Sequence, residues 1–113
     1  MSPITTHVLD TSLGCPAEGI AVTLYRMEED GACLEVGRSV TNSDGRAADL
    51  LADGKALAGT YRLEFDTAAY FARSRRPSFY PRVDIHFEVT TEGEHYHVPL
   101  LLSPFGYSTY RGS

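Results

Sequence analysis

An all-β sandwich carrying one short helix is the fold this sequence predicts, and three observations carry that reading. Apolar and polar residues alternate with a period of two in short blocks, as they do in half-buried strands. Clusters of Gly, Pro, Asn and Asp separate the blocks and supply turns. A single stretch departs from the alternation and reads as helix. Many short strands joined by such turns pack as two sheets around one core.

About eight strands follow in order. The first runs from Ile4 to Asp10, and the second from Ile20 to Met27, where Ile20, Val22 and Leu24 share a face. Asp30-Gly31 is a hairpin signal and leads into a third strand, Cys33 to Thr41. A short strand follows Asp44-Gly45, where the composition of the turn favours positive φ at Gly45. Another begins at Gly59 and turns Tyr61, Leu63 and Phe65 inward. Residues 66–73 then begin with the capping residue Asp66, continue with helix formers and end on Arg73, with Pro77 beyond, which predicts the helix. The clearest alternation, Val83 to Val89, turns Val83, Ile85, Phe87 and Val89 inward. Thr91-Glu92-Gly93 leads into a strand from His95 to Leu102, and the last strand spans about Tyr107 to Tyr110.

The 113 residues suffice for one domain, 1–113, with one core and one main site, and contain no repeat, low-complexity segment or linker. No apolar run approaches the roughly 20 residues that span a bilayer. Residues 1–7 lack the basic and apolar regions of a secretory signal, and Ser-Lys-Leu is absent from the C-terminus, so a cytoplasmic location is expected. Cys15 and Cys33 match no zinc or redox spacing and are expected to stay reduced in structural roles. A net charge of -5 argues against nucleic acid, whose phosphates require a basic face, and leaves a small molecule as the expected partner.

Chemistry-bearing residues concentrate near the C-terminus. On an extended strand His95, His97 and Pro99 point to one side, while Tyr96, Val98 and Leu100 point to the other. If the apolar set fills the core, the histidines lie on the outer face, either simply exposed or desolvated by contact with another subunit. A neutral imidazole in such a contact can take a proton from water, as hydrolysis requires. His7 lies in the alternating first strand with Leu9 on its face, and is either a surface histidine or a partner of His97. The turn before Arg46 aims this side chain from the start of a strand, where it is either solvated or a fork of donors for a planar, anionic or carbonyl-rich ligand. Among the four histidines only His95 and His97 are close in sequence, and no Cys or carboxylate completes a ligand set, so no metal is expected. There is no Gly-x-Ser-x-Gly elbow, and a carboxylate on Ser113 as the terminal residue disfavours an alkoxide there, so Ser113 reads as a hydrogen-bonding group. Arg73, Arg75 and Arg76 read as a solvated helix end.

Taken together, Thr6-His7-Val8-Leu9-Asp10, Gly14-Cys15-Pro16-Ala17, Thr41-Asn42-Ser43-Asp44-Gly45-Arg46 and the stretch from His95 to Tyr110-Arg111-Gly112-Ser113 resemble the 5-hydroxyisourate hydrolases, transthyretin-like enzymes of purine catabolism. The terminal Tyr-Arg-Gly-Ser is the most specific element, since it separates these hydrolases from transthyretin, the hormone carrier of the same fold. The resemblance implies an eight-stranded transthyretin-like (prealbumin-like) β-sandwich with a short helix. It also implies a homotetramer, a dimer of dimers, with active sites in the clefts between dimers. It assigns catalysis to His7, Arg46, His97 and Ser113, substrate binding to His7, Arg46 and Tyr110, and requires no metal or organic cofactor. His95 receives no role and His86 is incidental. The implied reaction is hydrolysis of the lactam of 5-hydroxyisourate to 2-oxo-4-hydroxy-4-carboxy-5-ureidoimidazoline, and the alternative is a transthyretin-like carrier that binds a small ligand without catalysis.

Overall fold

The computed structural model describes residues 2–52, 54 and 56–113. Along the chain it contains β1 (Ile4–Asp10), β2 (Cys15–Pro16), β3 (Ala21–Met27), β4 (Cys33–Val40), β5 (Arg46–Ala47), β6 (Gly59–Phe65), α1 (Thr67–Arg73), β7 (Val83–Val89), β8 (Tyr96–Ser103) and β9 (Gly106–Thr109). The strands form two sheets. One has the order β2-β1-β8-β9 with β5 also paired to β1, and the other has the order β4-β3-β6-β7. All neighbours are antiparallel except β1 and β8, which run parallel with Thr5 opposite His97 and His7 opposite Pro99.

Alternation places the core between the sheets. Ile4, Val8, Val98, Leu100 and Leu102 face it from the first sheet, and Val22, Leu24, Leu63, Phe65, Val83 and Ile85 from the second. Each such side chain contributes roughly 2 kcal/mol relative to an exposed one. Buried Thr6 belongs to this inward set and satisfies its hydroxyl by donating to the Val98 carbonyl at 2.6 Å. Helix α1 begins where Asp66 accepts from the Ala69 N–H and ends with basic Arg73 in its last turn, burying Thr67 and Phe71. None of the described helices is long and apolar enough to cross a membrane.

Several details depart from the sequence reading. Among the described residues there are nine strands rather than eight, because two residues, Cys15 and Pro16, form a ladder with Leu9 and Asp10. No alternation can announce so short an element. Ile20, Thr41, His95 and Tyr110 lie just outside their expected strands. Phe87 is half-buried at the side of the core. Cys15 and Cys33 are free and exposed, so neither packs in the core. The cluster beyond α1 is not simply solvated. Arg73 donates to the carbonyls of Glu18 and Gly19, and Arg76 forms a 2.7 Å ion pair with fully buried Asp10.

Candidate active site

The outer face of the β1–β8 pair carries the side chains that the core does not take. β1 sends Thr5, His7 and Leu9 outward, and β8 sends His97, Pro99 and Leu101. The 6.5 Å between the His7 and His97 ring centroids follows from adjacent strands in this register. β5 lies on the other side of β1 and sets Arg46 directly opposite His7.

A tightly determined turn delivers Arg46. The Asn42 side chain accepts from the backbone N–H groups of Asp44 and Arg46, and Gly45 N–H donates to the Asn42 carbonyl. Gly45 has φ of +76°, and a Cβ there would lie 2.4 Å from the Val8 carbonyl oxygen, so both conformation and space require glycine. The Val8 N–H in turn donates to the Gly45 carbonyl at 2.7 Å, tying the turn to the strand that bears His7.

The C-terminal segment closes the remaining side. After β9 the chain returns to β8, where Gly112 bridges to His97 and donates to its carbonyl at 2.8 Å. A Cβ on Gly112 would approach His97 Cδ2 to 2.7 Å, so the imidazole packs on bare backbone. Arg111 turns away from this surface. Its guanidinium lies over the Tyr96 ring, 4.5 Å from the centroid, and pairs with Glu94, which anchors the segment.

These elements enclose a cavity of about 390 Å³. His7, Arg46, His97, Tyr110 and Ser113, all singled out from sequence, line it together. His86 is exposed on the other sheet, opposite Arg62. Sequence reasoning gave His95 no role and overlooked Thr5, yet both belong to the cavity wall. The Thr5 hydroxyl lies 2.8 Å from His97 Nδ1 and 3.0 Å from His95 Nε2. The strand alternation that puts His7 outward puts Thr5 outward too, and that was the available signal.

Burial is the main influence on His97 and pushes its pKa below the usual histidine value of 6.5, with the positive charge of Arg46 and the neighbouring His95 and His7 acting in the same direction. A hydrogen bond to the Thr5 backbone works against them. The result is an imidazole of lowered basicity near a cation. Among the described residues, no group of three or more His, Cys, Asp and Glu side chains is arranged to hold a metal ion. The arrangement can therefore accept a proton at one point and stabilise negative charge at another, as water attack on a carbonyl demands.

Residues 4–112 match the model of the HIUase/Transthyretin family. The chain is 49% identical over 115 residues to the 5-hydroxyisourate hydrolase of Mus musculus, covering 99% of this chain and 96% of that protein. Its structure is similar to that of Klebsiella pneumoniae 5-hydroxyisourate hydrolase, with a TM-score of 0.84 and 41% identity over 97% of this chain and 98% of that one. It is also similar to sea bream transthyretin in complex with thyroxine, with a TM-score of 0.89 and 32% identity over 98% and 95% of the two chains.

Proposed function

Because the chain belongs to the HIUase/Transthyretin family, we propose that it hydrolyses 5-hydroxyisourate to 2-oxo-4-hydroxy-4-carboxy-5-ureidoimidazoline, with His7, Arg46, His97, Tyr110 and Ser113 forming its site. The observation that carries this reading is the convergence of an imidazole of lowered basicity, a guanidinium and the folded-back terminal segment on one cavity. His97, assisted by His7, takes a proton from water as its oxygen attacks the lactam carbonyl carbon. Arg46 binds the urate-like oxygens and stabilises the negative charge that develops on the carbonyl oxygen. Collapse of the tetrahedral intermediate breaks the ring C–N bond, and the proton held by the imidazole passes to the departing nitrogen. The product is an opened ring bearing one carboxylate and one new N–H. Tyr110 and Ser113 contribute hydrogen-bonding groups at the mouth of the cavity. Residues of this chain supply every part of this scheme, which calls for no cofactor.

The rival reading is a carrier, and overall shape does not oppose it, since the transthyretin and hydrolase folds both superpose closely on this chain. The residues oppose it. A passive pocket for an aromatic ligand has no need of an imidazole of lowered basicity beside an arginine, and the identity is higher to the mouse and Klebsiella hydrolases, at 49% and 41%, than to sea bream transthyretin, at 32%.

We further propose that the active assembly is a homotetramer, a dimer of dimers whose sites lie between dimers. Support comes from the outer sheet face, where β1 and β8 run on beyond His7 and Pro99 to half-buried Leu9 and Leu101, with exposed Leu13 and Phe105 at the same end of the sheet. Action in the cytoplasm is proposed on the free state of Cys15 and Cys33.

The deciding experiment generates 5-hydroxyisourate in situ from urate with a urate oxidase and follows its ultraviolet decay. Addition of the protein should accelerate the decay, and His97→Asn should lower turnover about 100-fold or more while the far-ultraviolet spectrum stays unchanged. Decay at the spontaneous rate with the unaltered protein would instead support the carrier.

A further inference from the structure

One polar side chain in the cavity has no task in the scheme above. Thr5 is 6% exposed, and its hydroxyl lies between two imidazoles, 2.8 Å from His97 Nδ1 and 3.0 Å from His95 Nε2. A threonine hydroxyl has one proton to give and lone pairs to accept with, and a neutral imidazole has one N–H and one bare nitrogen. Set between two such rings, the hydroxyl donates to one and accepts from the other. The tautomers of His95 and His97 are thereby coupled through a single O–H.

Two directions satisfy the geometry. In one, His97 carries its proton on Nδ1 and donates it to Thr5, Thr5 donates to His95 Nε2, and the lone pair of His97 Nε2 remains free. In the other, Thr5 donates to His97 Nδ1, which uses up the lone pair and leaves the proton on Nε2. Only the first leaves His97 able to take a proton from water. Gly112 packs against Cδ2, the carbon next to Nε2, and makes no hydrogen bond to the ring.

We propose that Thr5 is a positioning residue of the hydrolytic site, which holds His97 in its Nδ1–H tautomer by accepting from Nδ1 and donating to His95 Nε2. The proposal rests on the reading of His97 as the base. It gives His95 a part without contact to substrate: its Nε2 receives the Thr5 proton, and its exposed ring anchors the chain at the solvent side. When His97 Nε2 is protonated during turnover, the Nδ1–H donated to Thr5 becomes charge-assisted and shorter, so the contact stabilises the intermediate more than the resting enzyme. Arg46 and His7 face the same imidazole and are not altered by a change at Thr5.

The test uses Thr5→Val, which keeps the shape and removes the hydroxyl, and Thr5→Ser, which restores it. The valine variant should lose about tenfold or more in kcat with KM little changed, and serine should recover most of that loss. Long-range 1H–15N spectra of the imidazoles, with His97 assigned by comparison with His97→Asn, should show the unaltered protein protonated on Nδ1 and Thr5→Val as a tautomer mixture. A spectrum of the unaltered protein with His97 protonated on Nε2 overturns the proposal, and this holds even if the valine variant fails to fold. Unchanged kcat in Thr5→Val, with turnover still lost in His97→Asn, removes Thr5 alone and leaves the base in place. Turnover retained in His97→Asn removes the base and the role of Thr5 with it.

Discussion

His97 shows how a surface strand position acquires the properties that a base requires. Its ring is taken partly out of water, and burial, ahead of the Arg46 charge, opposes protonation. A pKa below 6.5 means that the imidazole stays neutral as pH falls through that value, so kcat/KM should hold from pH 7 to below 6.5 and fall only under it. Arg46→Gln removes one contributor, so the acid limb of its residual activity should move up toward the ordinary histidine value. The check is kcat/KM across pH 5 to 8, corrected for spontaneous decay, and a limb at the same pH in both proteins would show that Arg46 does not tune this ring. At this scale the sequence was legible where a residue type is chemically conspicuous. His7, Arg46, His97, Tyr110 and Ser113 were found and are brought together. Thr5 was not, because a threonine in an alternating run reads as an ordinary strand former. Nor was the partnership of Asp10 and Arg76, which are 66 positions apart and acquire meaning only when β1 meets the segment after α1.

That partnership governs how the elements hold together. Asp10, at the end of β1, is fully buried and accepts from Arg76, from the Tyr70 hydroxyl of α1 at 2.7 Å, and from Ser12 and the Leu13 N–H in the following turn. Burial alone would raise its pKa, but these donors prevail and hold the carboxyl below the usual carboxylate range. Tyr70, itself partly buried and bonded to that carboxylate, is pushed up to about 12. A depressed carboxylate pKa adds stability that is complete above the unfolded value of about 3.9 and is lost as pH falls through the folded one. Asp10→Asn leaves Arg76 facing an amide and should cost about 3 kcal/mol at pH 7, read as a lower urea midpoint. The deficit should shrink as pH falls below about 4, because the unfolded chain then takes up a proton on this carboxyl while folded Asp10 stays ionised. Equal midpoints at pH 7 would refute the clamp. Most elements were readable because period two over seven or eight residues is unambiguous. Asp30-Gly31 does turn β3 into β4, with Gly31 at φ +86°, and Gly45 has the positive φ its turn required. What the sequence could not announce were the two-residue ladder at Cys15 and the carbonyls that occupy Arg73, since both depend on distant backbone.

For the whole molecule, the outer face of the first sheet has the character of an interface rather than of a solvated surface. Leu9 and Leu101, opposite each other in the parallel β1–β8 register, continue the face that bears His7 and Pro99 as an apolar strip. The Thr11 N–H donates to the Leu102 carbonyl, so the loops bearing Leu13 and Phe105 emerge at the same end of the sheet, and these side chains are 58% and 67% exposed. Strands β7 and β9 each pair on one side only among the described residues, which leaves an edge on either sheet for a first association. The strip then offers a second surface of different character, and two surfaces are what a dimer of dimers needs. If a facing subunit completes the cavity, separating the dimers should abolish turnover without unfolding any subunit. Leu13→Glu combined with Phe105→Glu places like charges on the strip while touching neither the core nor His7, Arg46 and His97. Native mass spectrometry should then give dimers in place of tetramers, the far-ultraviolet spectrum should be unchanged, and turnover should fall about 100-fold, because the facing wall that positions substrate is gone. A dimer with full turnover would show that one pair of sheets holds everything the reaction needs, and an intact tetramer would place the interface elsewhere on the sandwich.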